Sequence, residues 1–268
     1  MSGPWRFKGR IYTIGLGGEY ATLSAAVAAI GTPVPTDVTG THNGVLAVTA
    51  YNDLWTLSGH TVDFTLLDAT RQLFLEINND GLLMPIDSIP DATHIVTTSG
   101  RNTASNLTNQ TYKLWELPRY LLQFQSGQHA DAASTIQLPE KGIYTLKGSG
   151  VHSTSFRHTL GMISGRSIRC PNVGIVEVDS IGFDKAGDST AISAGNVSAT
   201  AGQCSVLRLH NVDFRDASPT EAVVAGGYSF NGFFAGVEIY DVSCASVGYL
   251  TNLDTDKLII QEIGRAHV

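Results

Sequence analysis

The clearest pattern along this chain is a hydrophobic motif that returns four times in its second half. Aliphatic residues occupy the first, third and sixth positions of four segments that align without gaps: 176–183, 207–214, 237–244 and 258–264. The first and third positions point to the same face of one strand, because side chains alternate along a strand. The segments start at intervals of 31, 30 and 21 residues, which is typical of a solenoid repeat.

A bend is expected inside each repeat, because the step from the third to the sixth position breaks the alternation of a strand. The position between them is Ser180, Asn211, Asp241 or Glu262, and Ser, Asn and Asp tolerate bends. Strand, bend and second strand form the cross-section of a β-helix coil, so the pattern predicts an all-β fold of stacked coils. Leu209 should then lie directly against Val178 and Ile239. A β-sandwich with coincidentally similar strands is the alternative.

In-register stacking also predicts rows of outward side chains that run from coil to coil. One row would contain Glu177, Arg208 and Glu238, in which opposite charges alternate favourably. A second row would contain Asp179, His210 and Tyr240. A carboxylate, an imidazole and a phenol together suit acid–base chemistry, but they equally suit an ordinary polar ladder.

The N-terminal part, residues 1–31, predicts an end cap for the stack. Residues 10–14 alternate like a strand, 15–18 are rich in glycine, and 21–30 predict a short helix with Leu23, Val27 and Ile30 on one face. Thr22 or Ser24 would cap its start. A cap is required because an open solenoid end exposes apolar core and strand edges.

The segment between cap and repeat, residues 32–130, predicts irregular early coils or a small β subdomain. Residues 61–67 and 73–77 are typical of strands, and 78–81 of a turn, while 114–124 fit a strand or a helix. The repeat region itself is taken as residues 131–263, with an additional coil that includes 142–150.

Composition limits the class of protein further. Charged residues make up only 15% of the chain and 28 residues are glycine, which suits strands joined by many turns. The formal net charge of −7 argues against non-specific binding to nucleic acid. The three cysteines predict buried free thiols, and we expect no signal peptide, membrane span or zinc site.

The repeat and the entry segment together resemble the pectin-lyase-like superfamily of right-handed parallel β-helix proteins. The stacked segments, residues 143–150, and the strand, glycine-rich turn and Thr22-Leu-Ser-Ala-Ala-Val helix carry this resemblance. The chain is similar in particular to phage tail spike and tail-fibre-like proteins. The resemblance implies a virion or cell-surface location, homotrimers packed along their coils, and adhesion to a surface polysaccharide.

Relatives with this fold also include polysaccharide lyases and glycosidases, so catalytic carboxylates must be considered. Enzymes that cleave glycans use paired carboxylates, and Asp184, Asp213 and Asp216 follow or flank the second strands of two coils. An ion pair of Asp184 with Arg215 is the alternative. For a lyase the resemblance implies calcium bound by acids, with Asp179 and His210 as further candidates. A purely structural virion component is the remaining possibility.

A cluster of aromatic residues and glycines between two coils predicts a platform for sugar rings. It contains Tyr228, Phe230 and Phe233, with Tyr240 on the following strand. Aromatic rings bury the flat apolar faces of sugars, although the same loop could fold over the coil stack.

The last residues, 262–268, resemble the translation of a sequencing adapter, and we expect that they do not belong to the natural protein.

Overall fold

The computed structural model describes residues 9–39, 44–49, 52, 54–58, 64–67, 71–79, 81, 83–97, 106–133, 136–158, 166–184, 190–193, 206–214, 223–224, 236–244 and 258–263. Within these ranges the regular secondary structure is almost entirely β-strand, with one α-helix and one 3₁₀-helix, Phe64–Leu66. For residues 156–158, 166, 167, 184, 190, 191, 193 and 214, and for everything after residue 214, the structure describes the backbone alone. No helix in these ranges is long and apolar enough to cross a membrane.

The N-terminal cap has the predicted elements. Strand β1 (Arg10–Ile14) leads through a glycine-rich turn to helix α1 (Leu23–Ile30), whose N-cap is Thr22. The Thr22 hydroxyl accepts a hydrogen bond from the backbone N–H of Ala25 at 3.2 Å, which satisfies one of the free donors of the first turn. The helix buries Leu23, Ala26 and Val27 in the main core.

A predominantly antiparallel sheet occupies the segment between the cap and the repeat. Its strands are β2 (Thr36–Asp37), β3 (Val45–Val48), β4 (Leu54–Ser58), β5 (Leu73–Ile77), β6 (Leu83–Asp91), β7 (His94–Thr97), β8 (Leu107–Gln110) and β9 (Tyr112–Glu116), in the order β2-β9-β5-β6-β7-β4-β3-β8. The strand predicted at 73–77 is confirmed. The strand predicted at 61–67 is wrong where it is described, because 64–66 form a 3₁₀-helix.

Parallel strands follow from residue 119 onward, earlier in the chain than the expected start at 131. They are β10 (Arg119–Phe124), β11 (Gly127–Asp131), β12 (Ile136–Gln137), β13 (Ile143–Lys147), β14 (Thr154–His158), β15 (Arg166–Arg169), β16 (Ile175–Asp179), β17 (Gly182–Asp184), β18 (Thr190–Ser193), β19 (Val206–Phe214), β20 (Val223–Val224), β21 (Gly236–Cys244) and β22 (Leu258–Ile263). Each of these strands pairs in parallel with the equivalent strand of a neighbouring repeat, as β10 does with β13, β13 with β16 and β16 with β19.

Three parallel stacks result among the described strands. The first stack contains β1, β10, β13, β16, β19, β21 and β22, and the second contains β11, β14, β17 and the second halves of β19 and β21. The third contains β12, β15, β18 and β20. The chain is therefore an all-β protein with curled parallel sheets.

The predicted register of the repeat is confirmed. Leu209 pairs with Val178 on one side and with Ile239 on the other. Val178 and Leu209 are fully buried in the main core together with their neighbours Val176 and Leu207. Like side chains therefore lie over one another inside the stack, where each buried aliphatic residue contributes about 1.5–3 kcal/mol.

The predicted bend is confirmed at the two positions that the structure describes fully. Ser180 has a φ angle of 59° and Asn211 one of 48°, which is the left-handed region where a polar short side chain is best tolerated after glycine. In the preceding coil the equivalent position is Gly148. A Cβ atom there would collide with the carbonyl oxygen of Ser180, so close stacking of the bends requires glycine.

The antiparallel sheet packs on the outward face of the first stack. A separate apolar cluster joins Phe74, Leu83, Trp115 and Leu117 of the antiparallel region to Ile143, Ile175 and Val206, which begin three successive strands of the stack. These three residues point away from the main core, which holds their neighbours Tyr144, Val176 and Leu207. The outward face of the coils is therefore partly an internal surface.

A buried ion pair also lies at this junction. Glu76, 2% exposed, accepts hydrogen bonds from Lys141 Nζ at 3.0 and 3.2 Å and from the backbone N–H of Gly81 at 3.0 Å. The indole N–H of Trp115 donates to the same carboxylate. Because Glu76 belongs to the antiparallel sheet and Lys141 precedes β13, this pair connects the two regions.

Candidate functional site

The candidate site is a row of polar side chains on the outward face of the first stack, at the end where its strands bend. Lys147, Asp179 and His210 occupy equivalent positions on β13, β16 and β19, and Tyr240 follows on β21. Ser180 and Asn211 occupy the bend beside them. We call Lys147, Asp179, Ser180, His210 and Asn211 the polar row.

Hydrogen bonds and an ion pair connect the first members of the polar row. Lys147 Nζ lies 3.2 Å from Asp179 Oδ2, and the Ser180 hydroxyl donates to Asp179 Oδ1 at 2.7 Å. The side-chain amide of Asn211 donates to Ser180 Oγ at 3.2 Å. Side-chain contacts thus link β13 to β16 and the bend after β16 to β19, in addition to the ladder of the strands.

The polar row is accessible to solvent and held by rigid elements. The Lys147 side chain is 48% exposed and that of Asp179 is 25% exposed, while Ser180, His210 and Asn211 are half-buried. Parallel strands hold three of the members about 4.8 Å apart from coil to coil. The left-handed backbone of Ser180 and Asn211 directs their side chains along the same edge, and the backbone N–H of Ser180 donates to the His210 carbonyl at 3.1 Å.

The predicted row of alternating charges runs parallel to the polar row on the same face. Glu177 pairs in register with Arg208, and Arg208 with Glu238. Glu177 and Arg208 are half-buried. Lys147 and Arg208, the two cations of these rows, therefore each have a carboxylate at the equivalent position of a neighbouring coil.

Chemically, this surface offers several hydrogen-bond donors and acceptors with no large excess of charge. Asp179 accepts, Lys147 and the Asn211 amide donate, and the Ser180 hydroxyl does both. Such a set can bind the hydroxyl groups of a polar ligand. The described contacts of the Asp179 carboxylate are with Lys147 and Ser180, so this carboxylate holds both side chains in position within the polar row.

The structure describes the strand positions of two of the three aspartates that were predicted as catalytic carboxylates. Asp213 pairs with Gly182 and Ser243 in the second stack, whereas Asp184 pairs with Arg157. The two aspartates therefore lie on adjacent strands but two positions out of register. Asp216 lies outside the described residues, so the catalytic assignment of these three residues stays a prediction.

The predicted aromatic platform falls largely outside the described part of the chain. Tyr228, Phe230 and Phe233 lie outside the described residues, and for Tyr240 the structure describes only the register with His210 and Gln261. Their role in carbohydrate binding stays a prediction.

Sequence reasoning missed Lys147, Ser180 and Asn211 as members of the site. Ser180 and Asn211 were recognised only as bend residues, although a polar side chain at a bend is held rigidly beside the strand. Lys147 could have been found by aligning residues 143–147 with the repeat, because that alignment places it over Asp179.

The resemblance to lyases implies a calcium ion held by acidic side chains. Among the residues that the structure describes, no group of three or more His, Cys, Asp or Glu side chains is close enough to hold a metal ion. Cys170 is buried in the main core and takes part in no disulfide among the described residues, as predicted for a cysteine of this chain.

Comparison of the chain with protein-family models, with curated proteins and with solved structures returned no match.

Proposed function

We propose that the chain is a right-handed parallel β-helix that adheres to a surface polysaccharide, as a component of a phage tail spike or tail fibre. Support for the fold comes from the three parallel stacks, whose strands are added in the same order by each winding. The helix α1, which packs on one end of the main core, corresponds to the cap that such a solenoid needs.

The observation that carries the adhesive function is the polar row. Its members occupy equivalent positions on neighbouring strands, are accessible, and are joined by the Lys147–Asp179 and Asn211–Ser180 contacts. Side chains held on strands keep their geometry with little loss of freedom on binding. A polysaccharide lying along the stack would meet at least one polar side chain of the row at each of the strands β13, β16 and β19.

Adhesion can be tested by measuring binding of the full chain to an array of bacterial surface polysaccharides. We expect the variant Asp179→Ala with His210→Ala to lose binding, because it removes two neighbouring polar groups from the row. Asp87→Asn is the matched control, since Asp87 is an exposed aspartate of the antiparallel sheet. Equal binding by the double variant and the unmutated chain would contradict the assignment of the site.

A virion role and a homotrimer belong to the same proposal. Tail or baseplate genes beside the coding sequence would support the virion location, and light scattering of the purified chain would give its oligomeric state. A monomer at working concentration would remove the trimer from the proposal without affecting the polar row.

An enzyme of the same fold is the second candidate, and the position of Asp184 and Asp213 on adjacent strands favours it. Depolymerisation of a polysaccharide should then fall in Asp184→Asn and Asp213→Asn variants, because a carboxylate that transfers a proton or attacks carbon cannot be replaced by an amide. Absence of activity in the unmutated chain towards a polysaccharide that it binds would count against the enzyme.

A further inference from the structure

We propose that the polar row selects neutral glycans over glycans that carry carboxylate groups, and that Asp179 sets this selectivity by neutralising Lys147. The inference rests on the proposed function and concerns the chemical class of the polysaccharide that the same site binds.

The first observation is that the cation of the polar row already has a carboxylate partner. Lys147 Nζ lies 3.2 Å from Asp179 Oδ2, and Asp179 is held in place from its other oxygen by the Ser180 hydroxyl at 2.7 Å. A carboxylate of a ligand would have to compete with Asp179 for the ammonium group. A sugar hydroxyl, in contrast, can donate to Asp179 or accept from Lys147 while the pair stays intact.

The second observation is the adjacent row of charges. Arg208 lies in register between Glu177 and Glu238, so acids flank the other cation of this face. An anionic ligand placed here would meet the carboxylate of Glu177, and a second acidic residue, Glu238, follows in register on the next strand; like charges at such positions repel. The whole chain also carries a formal net charge of −7, which does not attract anionic polymers.

Two properties of binding follow. The unmutated chain should prefer neutral oligosaccharides, and its affinity should change little with salt, because no net charge is neutralised on binding. Removing the charge of Asp179 should release Lys147 for an anionic ligand. Asp179→Asn keeps the size of the side chain and one acceptor oxygen for the Ser180 hydroxyl, so the strand register should be unaffected.

The experiment is a printed array of neutral hexose oligosaccharides and of oligosaccharides of matched length that contain uronic or sialic acid. The full chain, Asp179→Asn, Lys147→Gln and the control Asp87→Asn are compared at low and at physiological salt. We expect Asp179→Asn to gain about threefold to fivefold in affinity for acidic members, in keeping with the modest strength of an accessible ion pair. The gain should disappear in the double variant with Lys147→Gln.

The outcomes separate this inference from the function on which it rests. Binding of the unmutated chain mainly to acidic members, with a steep dependence on salt, would overturn the selectivity but leave adhesion standing. Neutral preference with no change in Asp179→Asn would overturn the role of Asp179. Absence of binding to every member, in a chain whose circular dichroism shows folded β-structure, would overturn the adhesive function itself.

Discussion

The parallel stacks and the antiparallel sheet are built on different principles, although both are almost entirely β-structure. In the stacks, each strand pairs with its counterpart in the next winding, and equivalent residues meet in an unbroken register. In the antiparallel sheet the strand order departs from the chain order, and register shifts interrupt the pairing of β3 with β8 and of β6 with β7. A repeated residue pattern can therefore be recognised in the sequence of the parallel stacks but not in that of the antiparallel sheet.

The two regions nevertheless share one interface. The apolar cluster around Phe74, Trp115 and Ile175 and the ion pair of Glu76 with Lys141 bring them into direct contact. Gly174 shows how close the contact is, because a Cβ atom there would lie 2.5 Å from Leu117 Cδ1 and 2.9 Å from a ring atom of Phe74. Because of this shared interface, we expect the two regions to unfold together although their strands pair in different ways. The following predictions test this expectation.

The largest effect is expected from opening the core of either region. Leu209→Ala in the stack and Leu75→Ala in the antiparallel sheet each remove a fully buried side chain and should cost about 3 kcal/mol of unfolding free energy. Because the regions share the junction cluster, we expect both variants to lower one common calorimetric transition. Two transitions, each lowered by only one variant, would show that the regions unfold separately.

Removing the cation of the junction should have the next largest effect. Lys141→Met leaves Glu76 buried without its ammonium partner and should destabilise the protein by about 2 kcal/mol, less than for a fully buried pair because Lys141 is partly exposed. Chemical denaturation measures the loss. Glu76→Gln combined with Lys141→Met should recover part of it, whereas additive losses would argue that the two side chains are not coupled.

The bend of the repeat offers a smaller and more selective test. Asn211 has a φ angle of 48°, in the left-handed region that alanine tolerates less well than asparagine. Asn211→Ala should therefore lower the free energy of unfolding by about 1 kcal/mol. Asn211→Gly keeps that backbone accessible and removes only the amide that contacts Ser180. Thermal unfolding should therefore show a lower midpoint for the alanine variant, and the reverse order would contradict the strained bend.

The smallest effect concerns a turn of the antiparallel sheet. The backbone N–H of Thr93 donates to Asp91 at 2.8 Å, and this bond, with those of the His94 ring and the Thr93 hydroxyl, lowers the pKa of Asp91 to about 2. Since the pKa is depressed in the folded state, the contribution to stability is present above the ordinary value and is lost as the pH falls towards 2. An NMR titration should show this midpoint, and His94→Ala should raise it. A midpoint near the ordinary value in the unmutated chain would contradict the contacts at the turn.

Much of the parallel region could be predicted because its information is local and repeated. The positions of Val178, Leu209 and Ile239, the bend at Ser180 and Asn211, and the strand–turn–helix cap all follow from residue type and spacing. The same reasoning placed Asp179 beside His210. It did not include Lys147, because the coil that contains it lacks the aliphatic sixth position by which the other repeats were recognised.

The antiparallel region could not be predicted to the same degree, because its pairings join segments far apart in the chain. Residues 64–66 have the composition of a strand but form a 3₁₀-helix, and the pairing of Thr36 with Glu116 has no signal in either segment. Nothing in the local sequence determines which of several apolar strands will be neighbours, since each could pair with any other.

The sequence by itself determined which side chains lie over one another in the parallel stacks, because a regular repeat places equivalent residues in equivalent positions. Only the tertiary structure decided which part of the outward face of these stacks is exposed to solvent. Ile143, Ile175 and Val206 lie on that face but are buried under the antiparallel sheet, while Lys147 and Asp179 on the same strands stay accessible. The physical reason is that burial of an outward residue depends on a partner surface from another part of the chain, and the spacing within the repeat carries no information about that partner.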